Sequence, residues 1–294
     1  MSEMVAGVPI VAGVDGSDSA LEAARWAADE AVRKRVPLRL VAVVQVPVAS
    51  GYVGDVGLGG DLIDALRAES QHLLDEARSS LVARQPDLDV TTALLFGPPI
   101  PALVEESAGA RLMVVGSRGL GGFRGMLVGS TAVALAARGR CPVAVIRGGG
   151  RPNGPVVVGV DGSPASEAAV ELAFEEASLR RAELVAVHTW LEHASDAAYV
   201  ATVQPVLDWD TLSERGMESL AERLAGWAEK YPDVVVVRRV TRGRPIVNLL
   251  AEAADAQLLL VGSRGRGAFA GVILGSTSQA LVYHAPCPLI VARG

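Results

Sequence analysis

Gly116-Ser117-Arg118-Gly119, then nine residues, then Gly129-Ser130-Thr131 is a pattern suited to holding phosphate. Its two outer elements do different work. Gly116 and Gly119 are expected to adopt backbone angles closed to other residues and to let a ligand approach the main chain. Gly129-Ser130-Thr131 is expected to open a helix, where unpaired N–H groups and the helix dipole favour an anion. Ser130 and Thr131 add hydroxyls, and Arg118 can add charge. The pattern recurs as Gly262-Ser263-Arg264-Gly265, nine residues, Gly275-Ser276-Thr277.

The offset between the copies is 146 residues, and it holds elsewhere: Asp15 maps to Asp161, Gly97 to Gly243 and Cys141 to Cys287. From Gly116 to Gly148, 17 of 33 positions match their partners. The chain is therefore a tandem duplication. A tight turn followed by a capped helix would also use these glycines, so one copy alone is weak. Two copies at one spacing, each between a buried strand and a helix and each with an Asp at the end of a first strand, point to a ligand. Asp15 and Asp161 have two readings. Asp-Gly-Ser makes a good turn by bonding its own backbone. A carboxylate there can also accept from ribose hydroxyls or help to hold Mg²⁺.

Neither copy contains a lysine, and the chain has no Gly-x-x-x-x-Gly-Lys-Ser/Thr loop. No carboxylate or histidine sits in the motifs to position an attacking water, and phosphoryl transfer needs metal, charge and nucleophile placed together. Binding without fast turnover is the expectation, with weak hydrolysis at most and no catalytic residues. A slow ATPase or phosphotransferase is one alternative. A scaffold binding another adenine ligand, such as cyclic AMP, is the other.

At 294 residues the chain has room for two domains of roughly 150 residues each. The repeat places them at 1–147 and 156–294, joined by a Gly- and Pro-rich linker over 148–155. Half of the residues are apolar, mostly Ala, Val and Leu, and only 4% are aromatic. That suits a Val-rich parallel sheet covered by Ala-rich helices. A net charge of −6 gives no broad attraction to nucleic acid or anionic lipid. A local basic patch near Arg118 and Arg124 would suit a small anion. Cys141 and Cys287 each precede proline and a hydrophobic run, and read as buried structural thiols. His72, His188, His193 and His284 do not cluster, so no metal site is expected. His188 reads as a packed core residue. With no signal peptide and no run of about 18 apolar residues, a soluble cytoplasmic protein is expected.

Strand and helix patterns alternate through both halves. In the first, Ile10–Val14, Leu38–Val46, Val90–Phe96, Leu112–Val115 and Val143–Ile146 read as strands. Ala24, Ala27, Ala28 and Ala31 mark a buried helical face, with Ser19 and Glu22 as a capping box. Gly51–Gly60 reads as a loop. A longer helix carries Leu66, Leu73, Leu74, Ala77 and Leu81. Pro98, Pro99 and Pro101 open a helix to about Ala108, and Ser130–Arg138 is another. In the second half the strands are Pro155–Val160, Leu184–His188, Val234–Val240, Leu258–Val261 and Leu289–Val291. Ser163-Pro164 starts a helix buried through Val170, Ala173, Phe174 and Ala177, and Leu220, Leu224 and Trp227 mark the long one. Alternation of this kind implies an α/β fold of parallel sheets with helices on both faces. Ligands bind such sheets beyond the strand C-terminal ends, where strand order reverses. If the first and fourth strands are neighbours, Asp15 and the Gly116 turn face one crevice.

The order of elements, the early Asp and the Gly-x-x-Gly-x9-Gly-Ser pattern resemble the ATP-binding branch of the universal stress protein family, over nearly the whole chain. The arrangement is similar to its tandem-domain members. The resemblance implies a five-stranded sheet of order 3-2-1-4-5 in each half and one ATP per half, with Mg²⁺. It implies that Gly13, Val14 and Asp15 line the adenosine pocket, that Val43 meets adenine through its backbone, and that Val115 to Gly119 and Gly129 to Thr131 wrap the phosphates. In the second half these become Gly159, Val160, Asp161, Thr189, Val261, Gly262, Ser263, Arg264, Gly265, Gly275, Ser276 and Thr277. Thr189 in place of Val43 adds a hydroxyl near the base, and Ala270 in place of Arg124 removes a charge, so unequal sites are expected. The resemblance further implies a nucleotide-gated regulator of stress responses, paired halves, a homodimer and an unidentified protein partner, without nucleic acid or membrane.

Overall fold

The computed structural model describes residues 7–45, 59–119, 128–190, 209–265 and 273–294. The chain divides into two compact units, Met1–Ile146 and Arg147–Gly294. The first runs β1 (Ile10–Gly13), α1 (Asp18–Lys34), β2 (Leu38–Val44), α2 (Gly59–Arg84), β3 (Val90–Phe96), α3 (Pro99–Glu106), a 3₁₀ turn (Ser107–Gly109), β4 (Leu112–Gly116), α4 (Ser130–Arg138) and β5 (Val143–Ile146). Within it the strands lie in the order β3-β2-β1-β4-β5, and every pairing is parallel.

The second unit runs β6 (Val156–Gly159), α5 (Pro164–Arg180), β7 (Leu184–Trp190), α6 (Trp209–Lys230), β8 (Val236–Arg242), α7 (Pro245–Ala253), β9 (Leu258–Gly262), α8 (Ser276–His284) and β10 (Leu289–Ala292). Its strands lie in the order β8-β7-β6-β9-β10, again all parallel. Both units therefore have the order 3-2-1-4-5 by position, as expected.

Burial explains the strand sequences. Ile10, Ala12, Met113 and Val114 are fully buried, and so are Val156, Val157, Leu259 and Leu260. Side chains on both sides of these central strands are covered, which is why they read as continuous apolar runs. In α1 the small face of Ala24, Ala27, Ala28 and Ala31 is buried against β1 and β4. In α5 the equivalent face is Val170, Ala173, Phe174 and Ala177, each fully buried.

Several boundaries differ from the pattern reading. α1 is capped by Ser17, whose hydroxyl accepts from the Ala20 N–H at 3.2 Å, and not by Ser19. Ser17 has the extended backbone that an N-cap needs, while Ser19 is already helical. β7 continues past His188 to Trp190, because Thr189 and Trp190 pair in register with Thr241 and Arg242. β8 starts at Val236, later than Val234, whose N–H is held in a turn by the Tyr231 carbonyl. Gly59 and Gly60 belong to α2. Val46 and residues 51–58 lie outside the described residues. Among the described residues no helix is long and apolar enough to cross a membrane.

Candidate functional site

The crevice of the first unit is built where β1 and β4 run side by side. Ile10, Val11 and Ala12 pair with Leu112, Met113 and Val114, so both strands end at the same edge. The turn after β1 is Asp15-Gly16-Ser17. Gly16 takes a φ of 87°, which a side chain would strain. Asp15 Oδ1 accepts from the Ser17 N–H at 3.0 Å and from its hydroxyl at 2.6 Å. The structural role of Asp15 as a turn former is thus realised. Its other oxygen, Oδ2, lies against Gly119, where any Cβ would strike it. Asp15 is exposed. The first-strand Asp and the glycine turn therefore meet.

Ser17 was not singled out as a site residue, yet it joins the pieces. Its oxygen caps α1, and its proton has two acceptors, Asp15 Oδ1 at 2.6 Å and the Arg118 carbonyl at 3.3 Å. A hydroxyl has one proton, so the shorter, charged contact takes most of it. In the second unit Ser163 reaches Asp161 Oδ1 at 2.7 Å and the Arg264 carbonyl at 2.9 Å, a more evenly shared bond. The signal for this residue was present in the sequence: the whole Asp-Gly-Ser tripeptide repeats at the same offset.

None of Gly116, Gly119, Gly262 and Gly265 occupies the left-handed region of φ. The expectation of unusual backbone angles is corrected: these positions need room. A Cβ on Gly116 would lie 2.6 Å from the Ser19 carbonyl carbon, and one on Gly262 would lie 2.6 Å from that of Ala165. Gly265 would place a Cβ 2.6 Å from Asp161 Oδ2. Strand, helix and Asp turn approach too closely for any side chain.

Ser117 and Ser263 are buried, and their backbone groups are used by the protein. Ser117 donates to the Ile146 carbonyl and accepts from Gly129, at 3.0 and 2.7 Å. Ser263 does the same with Ala292 and Gly275, at 2.8 Å in each case. These bonds bring the two ends of each nine-residue spacer together. Arg118 and Arg264 are exposed beside the turn. Residues 120–127 and 266–272 of the spacers, with Arg124 and Ala270, lie outside the described residues.

Gly129 and Gly275 are the N-caps of α4 and α8, and neither supplies a capping side chain. The first N–H groups of a helix have no partner within it. Ser130 and Ser276, exposed, and Thr131 and Thr277, half-buried, follow at once. A Ser or Asp cap would have satisfied one of those donors from within the chain. Glycine leaves that to something else, and the glycine turn, with Asp15 or Asp161 against it, stands beside the helix start.

The remaining predicted residues form the floor and far end. Val14, Val115, Val160 and Val261 are buried, so only their backbones can face a ligand. Gly13 faces Val115 and Leu103, and Gly159 faces Val261 and Leu249. Val43 and Thr189 lie at the C-terminal ends of β2 and β7, in register with Leu95 and Thr241. His188 Nδ1 sits 2.7 Å from the Val160 carbonyl, and since a carbonyl only accepts, the proton is on Nδ1. That ties β7 to the residue before Asp161.

A model of the universal stress protein family matches residues 9–147 and again 152–293. The chain belongs to the universal stress protein family. Among its relatives, Universal stress protein Rv2005c of Mycobacterium tuberculosis is 42% identical over 294 residues, covering 97% of this chain and 96% of the relative. Universal stress protein Rv2623 of the same organism is 39% identical over 303 residues, covering 100% and 99%. In solved structures, a universal stress protein from Archaeoglobus fulgidus shares the fold over 97% of this chain and 98% of its own, with a TM-score of 0.71 at 19% identity. Each unit of this universal stress protein is matched by the family model in its own right. Among its described residues no three His, Cys, Asp or Glu side chains gather as a metal site.

Proposed function

We propose that each unit binds one ATP in the crevice beyond β1 and β4, or β6 and β9, and that the protein works as a nucleotide-gated regulator in stress responses. The observation that carries this reading is the meeting of three features at one strand edge: a first-strand carboxylate, a side-chain-free glycine turn against it, and a helix start capped by glycine. The helix start supplies N–H donors for phosphate, and the carboxylate supplies acceptors for ribose hydroxyls. Arg118 and Arg264 add one exposed positive charge each. Mg²⁺, when bound, would offset phosphate charge. One carboxylate per site, with the phosphates and water, is a donor set that this ion accepts.

The arrangement favours holding ATP over consuming it. Asp15 and Asp161 are the site carboxylates, and Oδ1 of each is engaged in its own turn. A carboxylate held there orients a ligand and does not stand free to activate water. Cyclic AMP, lacking the outer phosphates, would leave the helix starts less fully used.

The test is calorimetry on the full chain. Gly119→Val places a side chain on Asp15, and Gly265→Val places one on Asp161. Each variant is expected to abolish one of two Mg-ATP binding events and to leave the other. A panel of ATP, ADP, AMP and cyclic AMP is expected to rank affinity by phosphate number. Two events intact in both variants would sink the assignment of the site.

A further inference from the structure

The two units differ most sharply at the far end of the crevice. In the second, Thr189 at the end of β7, Thr241 opposite it on β8 and Asn248 in the first turns of α7 form one cluster. Thr189 Oγ1 and Thr241 Oγ1 are 3.0 Å apart. Asn248 Nδ2 lies 2.9 Å from Thr241 Oγ1, 3.5 Å from Thr189 Oγ1 and 3.2 Å from the Arg242 carbonyl. All three side chains are half-buried. At the same positions the first unit has Val43, Leu95 and Ala102. Val43 and Leu95 pair in the register that Thr189 and Thr241 keep. The corner is apolar in the first unit and wholly polar at the same three positions in the second.

The cluster adjoins the crevice. Leu249, next to Asn248, is the residue that a Cβ on Gly159 would touch, at 3.2 Å. His188, next to Thr189, bonds the Val160 carbonyl beside Asp161. With phosphate at the α8 start and ribose at Asp161, the next part of a nucleotide in that direction is its base.

The hydrogen bonds have a direction. A carbonyl accepts only, so Arg242 fixes the Asn248 amide with its nitrogen inward. One N–H then serves Arg242 and the other Thr241. Thr241 can donate onward to the His188 carbonyl, at 3.5 Å. Thr189 then donates to Thr241. In this arrangement every proton of the cluster has an acceptor inside it. What remains toward a ligand are lone pairs, on Thr189 Oγ1 and on Asn248 Oδ1, which has no partner among the described residues. Lone pairs select a donor.

We propose that Thr189, Thr241 and Asn248 form a base-selecting subsite of the second unit that recognises an exocyclic amino group through side-chain acceptors, which the first unit's Val43, Leu95 and Ala102 side chains do not offer. The inference rests on the nucleotide-binding reading above. It assigns the second site to bases with an amino group at the crevice end, as adenine has, and against those with a carbonyl oxygen there.

The experiment titrates the full chain with Mg-ATP and with purine riboside triphosphate, which lacks the 6-amino group. In the wild type one of two binding events is expected to favour ATP about tenfold more than the other does, the size of one net hydrogen bond. Thr189→Val recreates the first unit's residue without changing shape, and Asn248→Ala removes the amide. Each is expected to lower that preference to the level of the other event and to leave the other event unchanged. A lost packing contact would weaken both nucleotides together and keep their ratio. A ratio that survives in Thr189→Val and Asn248→Ala, or a wild type that never discriminates, overturns the subsite while leaving nucleotide binding in place. No binding of either nucleotide overturns the nucleotide-binding reading, and the subsite with it.

Discussion

Single side chains in this protein are placed by need for room or for a bond. Ser17 and Ser163 serve both purposes, as helix caps and as the link between Asp turn and glycine turn. The cysteines show the opposite case. Cys141 and Cys287 are buried, as their position before a hydrophobic run implied. Burial pushes the Cys287 thiol up from 9.0 to about 12, with its own backbone hydrogen bond opposing weakly. A neutral thiol favoured by the fold stabilises below the unfolded value. That contribution is lost as pH rises from about 9 toward about 12. Cys287 is therefore expected to resist iodoacetamide at pH 8 in the native protein and to react at a free-thiol rate in denaturant, followed by mass spectrometry. Equal rates in both states would contradict its burial.

Elements explain why the glycines recur. α1 and α5 press on β4 and β9 so closely that Gly116 and Gly262 have no space for Cβ. Gly262→Ala must push α5 off the sheet, and overpacking of this kind costs about 1–3 kcal/mol. Chemical denaturation of Gly262→Ala should show that loss, and a variant as stable as wild type would contradict the close approach. The strands, their parallel pairing and the buried faces of α1 and α5 were legible in the sequence, because alternation and periodicity report burial directly, whereas the strand order came only with the family resemblance. The role of Gly116 and Gly262 was legible only as a need for glycine. Sequence does not distinguish an unusual φ from a close neighbour, and the structure shows the neighbour. The repeat of Ser17 was visible, but its linking role was not, because its three partners come from positions 15, 20 and 118, and only the fold joins them. The Thr189 cluster was half visible: the change from Val43 was plain, but Thr241 and Asn248 meet it only through strand register and the placement of α7.

At the scale of the whole molecule, the duplication has kept its frame and altered its chemistry. Both units hold the same Asp-to-glycine contact, and both start a helix with an uncapping glycine. Their far ends differ, apolar in one and polar in the other. On the proposed reading, two sites with one phosphate grip and two base preferences would give a single chain two nucleotide responses. Native mass spectrometry of the full chain in Mg-ATP tests the central claim most directly, since it counts nucleotides per chain whether the protein flies as a monomer or as the homodimer that the resemblance implies. The account predicts two ATP per chain, falling to one in Gly119→Val and one in Gly265→Val. A wild-type chain that carries no nucleotide at saturating Mg-ATP would contradict it.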